Sequence, residues 1–558
     1  MNYKEYMNQI ENKILEMKEE ELREWIRNYV RQVSESQREK VLLSFSEKSY
    51  NDYKKEISEI IKWCDKINEG EIFISCQGYE DYNNGYWGSD WVYEYEDNFG
   101  IGKKLENIYT LAENCVYEKN YQEAFSIYEN VNLLVFQSWD TNADEVNDME
   151  IEELVEEGIV SLNLKKIAQL TAYTAYMISK KEEKAKNLYK YFSWRMFKDI
   201  SIEDILEIGP EEVKDFNIFM EDWISLLCTS TEPFATRLLI EAVKFHKGEE
   251  GYLEIAKKVS NTHPILYVNS LKLLMENNDF EKLFEEGMNA LNSINKELII
   301  RGTVAELTSI AAYKLGKVED MEKCLWQAFY SDVSVSNYFN LIESSSNFEL
   351  HEKMVSERIN SLRINNDNQH MNRFYKPSNM QLLKSNIDNF DYYTLSFFQQ
   401  KFDMVYEECI ENKDPLGWST QFINVGVPLF LILLNKSNSH SKAMKAIIDE
   451  IEDKIGFKST KSKTFWNHIT SWKNRLKNEQ IMVEKYYEYI NKVIDERIIA
   501  IVSGSHRKSY YKAALLAAAW GEIEESRNEL KSKSKTIDYY RSLFPRHRAF
   551  IDELKKWL

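Results

Sequence analysis

Apolar residues recur along most of this chain at intervals of three and four, the period that lines one face of an α-helix. Tyr3, Met7, Ile10, Ile14 and Met17 form one stripe, and Leu22, Trp25, Ile26, Tyr29, Val30 and Val33 form the next. A third helix is expected over 52–67, with Tyr53, Ile57, Ile60, Ile61 and Cys64 inward. Beyond residue 100 the stripes come in pairs that share a frame: a small residue in the second helix, then an aromatic four positions later. The frame is clearest at Ala124 and Tyr128 and again at Ala185 and Tyr189. Ile108, Leu111, Ala112 and Cys115 precede the first crossing, and Gln169, Ala172, Tyr173 and Tyr176 precede the second, with turns expected at 118–120 and 179–182. A small residue lets two helix backbones approach, and the aromatic fills the space at the open end. The offsets recur, without the small residue at the crossing, at Leu271, Leu274, Leu283 and Ala290 and at Ala312, Met321, Leu325 and Ala328. The irregular spacing predicts a divergent stack of helix pairs.

Two stretches break the helical period. Residues 72–76 read as a strand, but one isolated strand cannot make a sheet. Residues 79–99 hold eight aromatics and six carboxylates without a Lys or Arg, which no amphipathic helix accommodates. The stretch is expected as an ordered loop, its rings either packed on neighbouring helices or, through Trp87 and Trp91, offered to a basic partner. Polar interruptions at 140–148, 363–378 and 435–442 are candidate boundaries. The longest apolar run, 422–434, is shorter than the roughly 20 residues of a membrane span and reads as a buried helix. The organisation expected is an N-terminal helical bundle over 1–78, an acidic aromatic loop over 79–100, a helical array over 101–440 and a C-terminal helical region over 441–558.

Composition sharpens this. With 18 Gly and 7 Pro in 558 residues, turn formers are too few for many short strands, which makes an all-α fold the expectation. The net charge of −20 opposes binding to nucleic acid or anionic membrane unless charge is segregated. It is segregated: residues 441–558 carry 24 Lys/Arg against 16 Asp/Glu, a net +8 that leaves −28 for the first 440. The six cysteines lie at least twelve residues apart, so no zinc or redox spacing exists and buried thiols in a reducing compartment are expected. The first residues lack the charged start and apolar core of a secretion signal, which points to the cytoplasm.

No phosphate-binding loop, zinc-protease helix, nucleophile elbow, kinase signature or dinucleotide fingerprint is present. Gly100-Ile101-Gly102-Lys103 resembles the end of a phosphate loop, but Asp97 stands where its earlier glycine belongs. No catalytic, cofactor or metal-ligating residue is therefore assigned. The tail is more distinctive: 503–514 enters an alanine-rich helix and Pro545-Arg546-His547-Arg548 begins the last one. Ser505 as a helix cap, Pro545 in a first turn and Ala513, Ala514, Ala517 and Ala518 in close packing account for it structurally. The alternative is an anion or nucleic-acid surface made by Arg507, Lys508, Lys512, Arg546 and Arg548 beside helix starts.

The small-to-aromatic frame resembles the tetratricopeptide repeat, although Val131 and Phe192 replace the second small residue of that pattern. The last fifty to sixty residues are similar to the helical region that follows the zinc module of bacterial SWIM zinc-finger proteins. The Cys-x-Cys and Cys-x-His ligands of that family are absent, so only a helical scaffold is implied. The resemblance implies an irregular superhelix, an α-solenoid, that binds a protein or peptide on its concave face, with Tyr173, Tyr176 and Tyr189 as groove candidates. Two other functions compete with it: nucleic-acid association through 441–558, and an enzyme whose site is assembled from distant helices.

Overall fold

The helix pairs expected from the frame are present. The computed structural model describes residues 3–34, 37–38, 41, 50–81, 90–140, 145–364, 386–411, 414–437, 441–457, 459, 463–476, 483–527 and 532–558. The protein is mostly helical. Two compact units divide it, residues 1–258 and 259–558, and the division falls inside the stretch 101–440 expected as one array.

In the first unit, α1 (Tyr3–Glu16) and α2 (Glu19–Gln32) precede α3 (Tyr50–Asn68), strands β1 (Ile74–Asp81) and β2 (Asp90–Glu96), then α4 (Ile101–Tyr117) and α5 (Tyr121–Val131). Asp97 caps α4 by accepting from the Ile101 and Gly102 N–H groups at 2.7 and 2.8 Å. The resemblance to a phosphate loop thus resolves into an ordinary helix start, where a carboxylate satisfies two orphan donors. Ala124 and Tyr128 are buried at the α4–α5 crossing, with Tyr109 and Tyr128 stacked at 6.4 Å.

The acidic aromatic stretch is not a loop at its two ends. Residues 74–81 and 90–96 pair antiparallel, with Tyr79 opposite Val92 and Glu80 opposite Trp91. They belong to a four-stranded sheet ordered β2-β1-β3-β4, where β3 is Val135–Asp140 and β4 is Glu145–Glu150. β1 runs parallel to β3 and β3 antiparallel to β4. The isolated strand therefore has partners, and the polar interruption at 140–148 lies in the β3–β4 hairpin, within a unit. Sequence period missed the sheet because its central pairing joins residues about 60 apart across two helices, while β4 reads Glu-Val-Asn-Asp-Met-Glu. One face is buried through Ile74, Cys76, Phe136 and Met149, with Phe136 against Trp63 of α3.

The remainder of this unit comprises α6 (Ile151–Glu156), α7 (Leu164–Ile178), α8 (Lys184–Tyr189), short 3₁₀ turns over 190–206, α9 (Phe216–Thr229), α10 (Ala235–Lys247) and α11 (Gly251–Lys258). Ala185 is buried as the frame requires, but α8 stops at Tyr189. The second hairpin is thus truncated.

The second unit opens with α12 (Ile265–Glu276), α13 (Phe280–Ser293), α14 (Ile300–Lys314), α15 (Val318–Ser331), α16 (Val335–Ser344) and α17 (Phe348–Ile364). The small residue missing at Leu283 is supplied one turn later. A Cβ on Gly287 would lie 2.1 Å from Thr308 Oγ1, so this glycine is what lets α13 and α14 touch. Then follow α18 (Asn389–Phe398), α19 (Phe402–Glu411), α20 (Ile423–Leu434), α21 (Lys442–Lys454), α22 (Phe465–Arg475), α23 (Val483–Ser503), α24 (Tyr510–Ser526), α25 (Ser532–Leu543) and α26 (Arg548–Lys555). The run 422–434 forms α20, nearly all of it buried. One continuous core runs from Leu325 to Leu554, so 441–558 packs with the helices before it rather than standing apart.

Candidate functional site

The tail residues that sequence singled out are brought together by three aromatic side chains. α23 ends in a tight turn: Ser505 adopts a left-handed φ of 58°, and the His506 N–H donates to the Ile501 carbonyl at 3.0 Å. Ser505 thus terminates α23 instead of capping α24, whose first residue follows a 3₁₀ turn at Arg507–Ser509. Pro545 lies in the turn before α26, whose N-cap is His547. Tyr510 at the start of α24 packs on Phe550 of α26 at 5.7 Å, and Phe550 on Phe544 of α25 at 5.9 Å. All three rings are buried. They dock the starts of α24 and α26 against each other, and the charged residues flanking those starts converge in consequence.

The result is a pocket of about 450 Å³ lined by Ser505, Arg507, Tyr510, Arg546, His547, Arg548 and Ala549. Three of the five basic residues named from sequence face it, and no carboxylate lines it. Lys508 and Lys512 do not line it. Among the described residues, no ion pair engages Arg507, Arg546 or Arg548, whereas their neighbours are paired: Lys533 with Glu522 at 2.8 Å, Arg541 with Asp538 at 3.0 Å, Lys555 with Asp552 at 2.8 Å and Lys556 with Glu553 at 2.6 Å. His547 sits between the rings of Phe544 and Tyr510, at 5.5 and 6.5 Å, with its Nδ1 buried and without a hydrogen-bond partner. Guanidinium groups offer planar forks of donors to phosphate or carboxylate oxygens, whereas the Tyr510 N–H at the start of α24 is already taken by the Arg507 carbonyl.

The tyrosines nominated as groove contacts are placed differently. Tyr173 is buried, with its hydroxyl accepting from the Glu211 N–H at 3.1 Å and donating to the Glu211 carbonyl at 3.2 Å. A Cβ on Gly209, whose φ is +90°, would fall 2.2 Å from the ring, so the loop is shaped to receive it. Tyr176 is also buried; it donates to the Lys214 carbonyl at 2.7 Å, and Lys184 Nζ lies 3.7 Å from its ring centre. Burial raises the Tyr176 hydroxyl to about 12, with Asp215 adding to the effect. Tyr189 is half-buried, its hydroxyl on Ser230 and its ring against Trp223 and Phe234. The expectation of an open tyrosine groove is corrected at Tyr173 and Tyr176: the loop 206–215 covers both, because each hydroxyl finds a backbone partner there. Trp91 lies on β2 opposite Glu80, and Trp87 falls outside the described residues.

Sequence reasoning named the arginines but not His547 or Tyr510, since only the folded turn juxtaposes residues some forty positions apart. Among the described residues no group of three or more His, Cys, Asp or Glu could hold a metal ion, and no helix is long and apolar enough to cross a membrane. No protein-family model, curated protein or solved structure matches the chain. Function therefore has to be argued from the geometry of the pocket.

Proposed function

We propose that this protein is a non-catalytic helical scaffold that binds a protein partner through an anionic group held in the Arg507–Arg546–Arg548 pocket. Its hairpins are taken to continue as irregular, tetratricopeptide-like arrays within each unit, with the buried Ala124, Ala185 and Gly287 crossings in support. The observation that carries the functional reading is the convergence, on a pocket lined by no carboxylate, of three arginines without an ion pair among the described residues. The same charges weigh against a nucleic-acid role for 441–558. Backbone tracking requires a run of available cations, and Lys533, Arg541, Lys555 and Lys556 are each committed to a carboxylate. A phosphorylated or carboxylate-rich side chain on a partner suits one compact basic pocket better. The six cysteines, none of them in a disulfide and all but Cys228 buried, support a reducing, cytoplasmic setting.

The test is calorimetric titration of the full chain with pyrophosphate, a phosphoserine peptide and a single-stranded oligonucleotide. Saturable binding of the first two, lost in Arg507→Ala/Arg546→Ala/Arg548→Ala, is the expected result. Binding that survives the triple substitution, or binding of the oligonucleotide alone with a steep salt dependence, would overturn the reading.

A further inference from the structure

The sheet of the first unit buries one face and leaves the other open to solvent. Ile74, Cys76, Phe136 and Met149 point into the core, so the residues that alternate with them stand on the outward face. Strand register arranges that face in rows. Glu96, Ser75, Trp139 and Val146 form one row across all four strands, with Glu94 opposite Gln77, Asp148 opposite Gln137 and Glu150 opposite Val135. Val135, Trp139 and Val146 are 40%, 42% and 48% exposed. Phe73 extends this apolar ridge, its ring 5.2 Å from Trp139 and 5.1 Å from that of Phe99, which is also exposed. Exposed carboxylates border the ridge on both sides of the same face, Glu94 and Glu96 on the edge strand β2 and Asp148 and Glu150 on the other edge strand, β4. The two edges stand three strand spacings apart, roughly 14 Å.

The charges of this face select its cover. No Lys or Arg occurs in any of the four strands. Residues 67–102 and 120–164, which supply the strands and their flanks, contain 19 Asp/Glu and no Lys, Arg or His. Lys66 at the end of α3 is paired with Glu71 at 3.6 Å, and Arg195 with Glu153 and Glu156 of α6 at 3.5 and 2.7 Å. Among the described residues no ion pair engages Glu96, Asp148 or Glu150. A second copy of the face would set carboxylate against carboxylate, and nucleic acid or an anionic membrane would be repelled in the same way. An extended segment carrying Lys or Arg beside apolar residues complements both features. Its apolar side chains cover Trp139 and Val146, its cations reach the carboxylates on either side, and the indole itself attracts a cation.

We infer that the outward face of the β2-β1-β3-β4 sheet docks a Lys/Arg-rich segment of a partner protein, with Trp139 and Val146 as the apolar anchor and the carboxylates of β2 and β4 fixing the sign of the partner's charge. This inference is independent of the arginine pocket, which takes an anion and belongs to the other unit.

Fluorescence anisotropy on the full chain tests it, with a labelled, C-terminally amidated peptide that alternates Lys with Leu and Tyr. Two controls accompany it: the same peptide with Glu in place of Lys, and a Lys/Gly peptide of equal charge. Saturable binding of the first peptide is expected, weakened by added salt and at least about tenfold tighter than that of either control. Trp139→Ser and, separately, Glu96→Gln/Asp148→Asn should each weaken it by about tenfold. Val146→Ser, at a position without a ring contact, should weaken it as well, which separates a lost anchor from disturbed packing around Phe73. Arg507→Ala/Arg546→Ala/Arg548→Ala should leave it unchanged. A photo-crosslinking residue in the peptide should label β3 and β4, as mapped by mass spectrometry. No saturable binding, equal affinity for the Lys/Gly peptide, indifference to the Trp139 and carboxylate substitutions, or crosslinks confined to other parts of the chain would each overturn the inference.

Discussion

Glu522 is a nearly buried carboxylate of the second unit, and its replacement tests how α21, α24 and α25 are joined. Its carboxylate, 4% exposed, lies on α24 and accepts from the Ala443 and Met444 N–H groups at the start of α21, at 3.1 and 2.8 Å. It also takes the Lys533 ammonium of α25 at 2.8 Å. Ser441, the N-cap of α21, makes no side-chain cap bond of its own, so Glu522 performs that task from another helix. Glu522→Ala leaves a nearly buried ammonium and two amide donors without an acceptor. Breaking one side of a buried pair costs about 3–5 kcal/mol, and that range already overlaps the loss of the two amide bonds. Glu522→Gln keeps one acceptor oxygen and loses the charge, for roughly 1–3 kcal/mol.

Protonation separates the charge from the shape. Burial alone would raise this carboxyl, but Lys533, Ser441 and the Ala443 and Met444 amides together hold it below the usual glutamate value. The folded value lies below the unfolded one, so the stabilisation is complete above the unfolded value near 4.5 and is lost as the pH falls through the folded one. Urea unfolding of wild type, Glu522→Ala and Glu522→Gln at pH 7 and in acid, followed by circular dichroism, measures each gap. The wild type to Gln gap should close in acid while a gap to Ala persists. A pH 7 penalty for Ala under about 1 kcal/mol, or a Gln gap indifferent to pH, would refute the account.

Two further stability predictions follow from packing and burial. Gly287→Ala places a methyl against Thr308 and should destabilise by about 1–3 kcal/mol, even though alanine is the better helix former; Thr308→Gly in the same chain should recover part of the loss in a thermal melt. Lys473 donates to the Asn435 carbonyl beyond the end of α20, and burial lowers its ammonium to about 8. Its folded value lies below the unfolded one, so the charged form is penalised below pH 8 and the penalty is shed between about 8 and 10.5. Relative to Lys473→Met, the wild type should gain roughly 1 kcal/mol between pH 7 and 9.5, the residual solvent access of the side chain keeping the effect small; a pH-independent difference in urea midpoints would contradict this.

Much of the helical content is legible because a helix declares itself within its own segment. Ala124 and Tyr128 show it well: apolar period, a three-residue turn and a small residue at the crossing predict the α4–α5 hairpin that is observed. The same reasoning fails at 74–96. A sheet closes between segments that carry no local mark of each other, and the parallel register of Ile74 with Ser138 is a property of the folded unit. Tyr173 was readable as an inward aromatic but not as a residue sealed by the loop at Gly209, since that loop is contributed from outside the hairpin.

The arginine pocket divides along the same line. Residue order already marks Arg507, Arg546 and Arg548 as basic groups beside helix starts, because charge, proline and alanine content are local. Only the packing of Tyr510, Phe544 and Phe550 decides that the three share one pocket while Lys508 and Lys512 do not line it, and only the pairing of the surrounding lysines with carboxylates decides which charges remain for a ligand. Helix period is a short-range consequence of backbone hydrogen bonding; which side chains meet depends on long-range burial, which composition and spacing do not encode.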